Sequence, residues 1–175
     1  MSDPTPGFAR LRRWLPDLLV VIVILGGFYW YRTQDMLATG NEQAPPLNLP
    51  VLDGGVGGLR DADGKPVLVY FFAPWCKVCA ASSHNLRNLR WFRDEEDLAV
   101  FLVVLDWQDQ AEVTDYVERH ELDFPVLLGD GRTAQAWGIS VFPSYYMLDD
   151  EHRVRRRDFG YSTLLGLWLR TVGLS

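Results

Sequence analysis

Phe71-Phe72-Ala73-Pro74-Trp75-Cys76-Lys77-Val78-Cys79 holds the only two cysteines of the chain, two residues apart. Just upstream, Val67-Leu68-Val69-Tyr70-Phe71-Phe72 is an unbroken apolar run rich in β-branched and aromatic residues, which reads as a buried strand. Downstream, from Ala80 to Phe92, apolar residues recur at helical spacing (Leu86, Leu89, Phe92), so the pair falls where a strand ends and a helix begins. A thiol in the first turn of a helix faces unpaired backbone N–H groups and the positive end of the helix dipole. Both favour thiolate over thiol, so Cys76 is expected to be the acidic, reactive sulfur. Cys79, one turn further in, is expected to lie close enough to close a disulfide with it. The competing reading is a structural or metal-binding pair. A zinc site needs two further Cys or His ligands, and the histidines (His84, His120, His152) are scattered.

Around this centre lie 175 residues, enough for one domain with a real core and some extra. A hydrophobic content of 48% and seven tryptophans argue against disorder, and a formal charge of −6 argues against nucleic acid as a partner. Near the start, Leu18 to Tyr31 runs without a charge; counted from Trp14 the stretch reaches toward the about 20 residues of a membrane span, with Asp17 near its end. Three readings compete: a core helix, a cleaved signal and a membrane anchor. A core helix would not be apolar on every face behind Arg10, Arg12 and Arg13. Ala38-Thr39-Gly40 has the small residues of a cleavage site but lies far beyond the apolar run. Phe28-Tyr29-Trp30-Tyr31 suits an aromatic belt at an interface. The expectation is therefore a cytoplasmic N-terminus over 1–13, a single-pass anchor over 14–32, a linker over 33–46 and a catalytic domain over 47–175. The arginines before the span keep the N-terminus inside, which puts the domain on the extracytoplasmic (periplasmic) side of the cytoplasmic membrane. Thiols there tend to be oxidised, and disulfides need enzymes to make, break or reshuffle them.

Along the domain, Leu47 to Gly55 reads as an alternating strand followed by glycine turns, and Asp61 to Pro66 as another turn. Asp94-Glu95-Glu96-Asp97 is a solvated turn. Leu98 to Leu105 is continuously apolar, as a strand covered on both faces requires. Ala111 to His120 predicts a helix with Val113, Tyr116 and Val117 on one side, and Phe124 to Leu128 an extended segment. Arg153 to Arg157 reads as a charge-protected edge strand, or alternatively as a docking patch for an acidic partner or lipid headgroups. Leu164, Leu165, Trp168 and Val172 are expected to line the core face of a C-terminal helix.

The segment from Phe71 to Cys79 resembles the active site of thioredoxin-like thiol–disulfide oxidoreductases, and Thr133 to Ser144 is the second match. There a short helix leads through Trp137-Gly138-Ile139 to Phe142-Pro143, which the resemblance makes a cis bond opening the strand Tyr145 to Leu148. The strand pair before Val67 and the helix–strand unit of 111–128 are similar to additions in the membrane-anchored TlpA, ResA and DsbE group. Lys77-Val78, Leu122 to Val126 and Gly160-Tyr161-Ser162 resemble the ScsD group, which is associated with copper tolerance.

The resemblance implies an α/β, three-layer thioredoxin-like fold with an N-terminal β extension and a central helix–strand insertion. It implies that Cys76 attacks a substrate disulfide, that Cys79 resolves the mixed disulfide, that Trp75 shields the pair, and that Phe142 and Pro143 position the target. No cofactor or metal is expected. The expected partners are cysteine-containing exported proteins and a membrane electron donor, with the protein working mainly as a reductase. Two departures stand out. The aspartate that thioredoxin keeps six residues before its first cysteine is Tyr70 here, and the glutamate that ResA-type enzymes carry three residues after the second is Ser82. His84 is the nearest titratable side chain in sequence and reads as a surface residue. The alternatives to redox catalysis are a Cu(I)-binding module and a non-catalytic thioredoxin-like interaction domain.

Overall fold

The structure, a computed structural model, describes residues 17–27, 36–37, 39–40 and 42–174. The chain divides into two compact units, Met1–Asp35 and Met36–Ser175. In the first, residues 17–27 are helical (α1), and the apolar side chains from Leu18 to Leu25 are exposed. Among the described residues no helix is long and apolar enough to cross a membrane. The rest of the 14–32 segment, the expected cytoplasmic stretch 1–13 and residues 33–35 lie outside the described residues.

The second unit is built on a five-stranded sheet whose central strand is β3 (Val67–Phe72). All six of its residues are buried, as a strand with neighbours on both edges and cover on both faces must be. β4 (Ala99–Val104) pairs with it in parallel, and β5 (Val126–Leu128) in parallel with β4. On the other side β6 (Ser144–Leu148) and β7 (Val154–Phe159) add antiparallel, giving the order β5-β4-β3-β6-β7. A small antiparallel hairpin, β1 (Asn48–Pro50) with β2 (Val56–Gly58), precedes the sheet. Gly58 is required there by space: a Cβ would stand 1.7 Å from the Leu47 carbonyl oxygen.

Alternation along β3 builds two cores. Leu68, Tyr70 and Phe72 face one, with residues of α2 (Lys77–Asn88), α3 (Gln110–Arg119) and α5 (Leu164–Thr171). Val67, Val69 and Phe71 face the other, where Trp137, just after α4 (Gly131–Ala136), packs on Phe71 and Tyr146. The helices start where capping residues stand. The side chains of Asp109, Asp130 and Thr163 accept from the N–H groups of Glu112, Thr133 and Gly166.

The domain differs from the sequence expectation in three places. Residues of the 33–46 segment, expected to form a linker, belong to the folded unit from Met36 onward. Met36 and Ala44 are buried, Gly40 and Ala44 donate to the Val154 and His152 carbonyls, and Glu42 accepts from the Val154 N–H. Arg157 donates to the carbonyls of Met36 and Leu37. The outer edge of β7 is thus paired by main chain where it begins, at Val154, rather than protected by charge alone.

The arginines of this run have partners within the domain. Arg153 pairs with Glu151 and Arg155 with Asp149, while Arg156 caps the C-terminus of α5 by donating to the carbonyls of Arg170 and Val172. Finally, the apolar residues of two helices turn differently than their spacing suggests. Phe92 follows a 3-10 turn (Leu89–Trp91) and is 56% exposed. In α5 Leu165 is 63% exposed and Val172 is also exposed, whereas Leu167 and Thr171 are buried.

Candidate active site

The parallel pairing of β3 with β4 carries β3 to its C-terminal end at Phe72, and Ala73-Pro74-Trp75 turns the chain into α2. Cys76 is the N-cap residue of that helix. Its backbone is extended, its carbonyl accepts the first helical bond from the Ala80 N–H, and its Sγ accepts from the Cys79 N–H at 3.1 Å. A sulfur held this way meets the orphan donors and the positive dipole end together. Cys76 and Cys79 form a disulfide with their Cα atoms 5.2 Å apart. The two ends differ in access: Cys76 is 6% exposed and Cys79 is fully buried in the core between α2 and β3.

Around the reachable sulfur lies an apolar rim. Trp75 is 59% exposed and Val78 is exposed beside it. The Trp75 indole is fixed by donating to the Asp106 carbonyl (3.2 Å) and carboxylate (3.0 Å), and its ring meets Phe142 edge-on at 5.9 Å. Asp106 itself has φ of 52°, a left-handed backbone position that aspartate tolerates. Nothing in the sequence singled it out, since an aspartate after a strand reads as an ordinary loop residue. The Phe142–Pro143 peptide bond is cis, and Ser144 Oγ closes the turn on the Val141 carbonyl at 2.7 Å. Trp75 and Phe142 are in ring contact; Pro143 is buried at the start of β6, the strand paired with β3.

Behind the pair the core holds hydroxyls rather than carboxylates. Tyr70 OH donates to the Cys79 carbonyl at 3.2 Å and Ser83 Oγ donates to the same carbonyl at 3.0 Å. Ser83 also pairs with Tyr116 OH at 2.9 Å. Tyr145 OH lies near both Ser82 Oγ and Tyr70 OH without reaching hydrogen-bonding geometry with either, and neither Ser82 Oγ nor Tyr145 OH has a hydrogen-bond partner among the described residues. Burial, the first cause in each case, pushes the Tyr70, Tyr116 and Tyr145 phenols above their ordinary range, so these groups stay protonated. His84 is exposed, with its ring nitrogens engaged by Arg87 and Asn88. Among the described residues no group of three or more His, Cys, Asp or Glu is placed to hold a metal ion.

Comparison with known proteins fits this geometry. Residues 41–157 match the AhpC/TSA family. The chain belongs to the AhpC/TSA family. Within it the chain is a thioredoxin-like thiol–disulfide oxidoreductase with Cys76–Cys79 as the active-site disulfide. It is 29% identical over 148 residues to the thioredoxin-like protein YneN of Bacillus subtilis, covering 81% of this chain and 86% of that one. It is 25% identical over 160 residues to the thiol-disulfide oxidoreductase ResA of Bacillus thuringiensis, covering 88% and 92%. Among solved structures, the secreted thiol-disulfide isomerase of Corynebacterium glutamicum superposes with a TM-score of 0.70 at 21% identity, over 75% of this chain and 84% of that one. A thioredoxin-family thiol:disulfide interchange protein of Chlorobium tepidum gives 0.68 at 18% identity, over 78% and 97%. These likenesses carry the fold.

Proposed function

We propose that this family member reduces protein disulfides on the extracytoplasmic side of the cytoplasmic membrane, held there by its N-terminal segment. The observation that carries the chemistry is the asymmetry of the pair, with one sulfur at a helix N-cap beneath an exposed aromatic rim and the other enclosed. Cys76 as thiolate attacks a substrate disulfide, and Cys79 then attacks Cys76 and releases the reduced substrate. Trp75 and Phe142 offer apolar surface to the polypeptide flanking the target cysteine. Pro143 has no N–H, so the carbonyl and N–H of Phe142 are the groups available to pair with an extended segment.

The direction of electron flow rests on the two residues between the cysteines. A disulfide donor gains from a strongly stabilised thiolate. Lys77 is exposed, where its charge is screened, and Val78 adds no charge. The pair should therefore be less oxidising than that of a dedicated oxidant, and a membrane electron donor would keep it reduced. The placement outside the cytoplasm is supported by the exposed apolar side chains of α1 behind an arginine cluster. Two proteins of the same fold, from Corynebacterium glutamicum and Mycobacterium tuberculosis, are secreted, which also supports this placement. A role in copper tolerance, exercised through thiol exchange on a copper-handling protein, is the extension suggested by Lys77-Val78 and Gly160-Tyr161-Ser162. Two measurements test the direction: the equilibrium potential against glutathione, and the redox state of the pair in growing cells by thiol trapping. A reduced pair with a potential nearer thioredoxin than a strong disulfide donor is expected. An oxidised pair in the cell would make the protein an oxidase or isomerase.

A further inference from the structure

We propose that the proton of the Cys79 thiol leaves the core through the hydroxyls of Ser82 and Tyr145 and reaches Asp158 on β7. This deepens the reading above and rests on Cys79 being the resolving thiol. A thiol sealed in a core must lose its proton before it can attack, and neither Tyr70 nor Ser82 is a base. Three of the five hydroxyls behind the pair are committed, Tyr70 and Ser83 to the Cys79 carbonyl and Tyr116 to Ser83. The two left over, Ser82 Oγ and Tyr145 OH, are buried without a hydrogen-bond partner among the described residues, with Tyr145 OH near both Ser82 Oγ and Tyr70 OH. An unpaired buried hydroxyl is destabilising, and a core rarely keeps two of them together for packing alone.

Their positions form a line. Ser82 lies one turn after Cys79 on the buried face of α2. Tyr145 stands beneath it on β6 and is the direct cross-strand partner of Asp158 on β7, so both side chains share one face of the sheet. Asp158 is ion-paired with Arg170 at 2.7 Å, and its side chain is 17% exposed, which opens the line to water. The charges of Asp158 and Arg170 both reach the Tyr145 hydroxyl. The titratable groups packed about Cys79 are Cys76, Tyr70 from β3, Tyr116 from α3 and Tyr145 from β6. Beyond them stand His120, its ring tilted against that of Tyr116, and the Asp158–Arg170 pair. A hydroxyl relays without ionising, because it accepts on a lone pair while giving up its own hydrogen.

In the resolving step the Cys79 sulfur bonds to the Cys76 sulfur, and the bond from Cys76 to the substrate sulfur breaks. The substrate leaves as thiolate with that electron pair. The proton of Cys79 passes to Ser82, that of Ser82 to Tyr145 and that of Tyr145 to Asp158, which returns it to solvent. When the disulfide is reduced the same line runs inward and protonates Cys79 as it leaves.

The test uses the full chain with 2-nitro-5-thiobenzoate attached to Cys76, which frees the coloured thiolate as Cys79 resolves. In the wild type the release rate should rise with pH by less than the about tenfold per unit of unassisted thiol ionisation. Tyr145→Phe and Asp158→Asn should each slow release about tenfold near a pH of about 6 and steepen the profile to that unassisted slope. Asp158→Glu should restore the shallow profile, and Ser82→Ala should behave as Tyr145→Phe. Loading of Cys76, followed in a Cys79→Ser background, should proceed at one rate with and without these changes. Profiles that superimpose on the wild type, or a uniform slowing that leaves the slope unchanged, would overturn the relay. Absence of any release from the wild type would instead overturn Cys79 as the resolving thiol, and the relay with it.

Discussion

At the scale of single residues, the chemistry is set by where each side chain meets the helix ends and the core. Cys76 and Cys79 differ by one helical turn, yet one accepts a backbone hydrogen bond at a helix N-cap and the other is enclosed by tyrosines. His120 shows the same logic away from the site. It ends α3 with its ring 4.5 Å from that of Tyr116, and burial, then the charge of Arg119, holds its pKa below the ordinary 6.5. Between the lowered value and about 6.5 the unfolded chain binds the proton more readily than the folded one, so stability falls as pH drops through that window. The unfolding midpoint of the wild type should therefore decline more on acidification from about pH 7.5 to about pH 5.5 than that of His120→Gln. Equal declines in the two proteins would contradict this. The cysteines and Pro143 were legible in the sequence because few residue types perform their tasks. The hold of Asp106 on Trp75 was not, because it depends on a cross-chain distance that local patterns do not encode.

At the scale of elements, hydrophobic pattern was a good guide wherever burial is complete. β3 and β4 read as continuous apolar runs because both faces are covered, and α3 showed its inward face through Val113 and Tyr116. The pattern misled at α5, where apolar residues are distributed around the helix and contact with α2 and the 3-10 turn Leu89–Trp91, rather than periodicity, decides that Leu167 and Thr171 turn inward. It misled again at 36–46, a polar and proline-bearing stretch that has no period to display. Met36 and Ala44 enter the second core and main-chain bonds hold Gly40 to Ala44 at the start of β7, while Arg157, which receives the segment, looked like surface charge. Arg157→Ala removes the donor to the Met36 and Leu37 carbonyls. Amide exchange at Gly40, Ala44 and Val154, which hold this segment on β7, should then quicken by about tenfold or more while β3 stays protected. Unchanged exchange at those three amides would show that the segment is held without the arginine.

At the scale of the whole molecule, the domain is a redox unit whose use depends on where it is delivered. The fold and the family follow from the described residues; the topology is read from Arg10, Arg12 and Arg13 ahead of an apolar run. A reporter active only outside the cytoplasm should work when fused after Ser175, with the protein resisting alkaline extraction from membranes. Release of a soluble form starting at Asn41 would make the segment a cleaved signal. The central claim, that Cys76 attacks and Cys79 resolves, is tested most directly by trapping. Full-length Cys79→Ser protein expressed in its own host should accumulate thiol-sensitive mixed disulfides through Cys76, and Cys76→Ser protein should accumulate none. Equal trapping by both variants, or trapping by Cys76→Ser alone, would contradict the assignment of the two sulfurs.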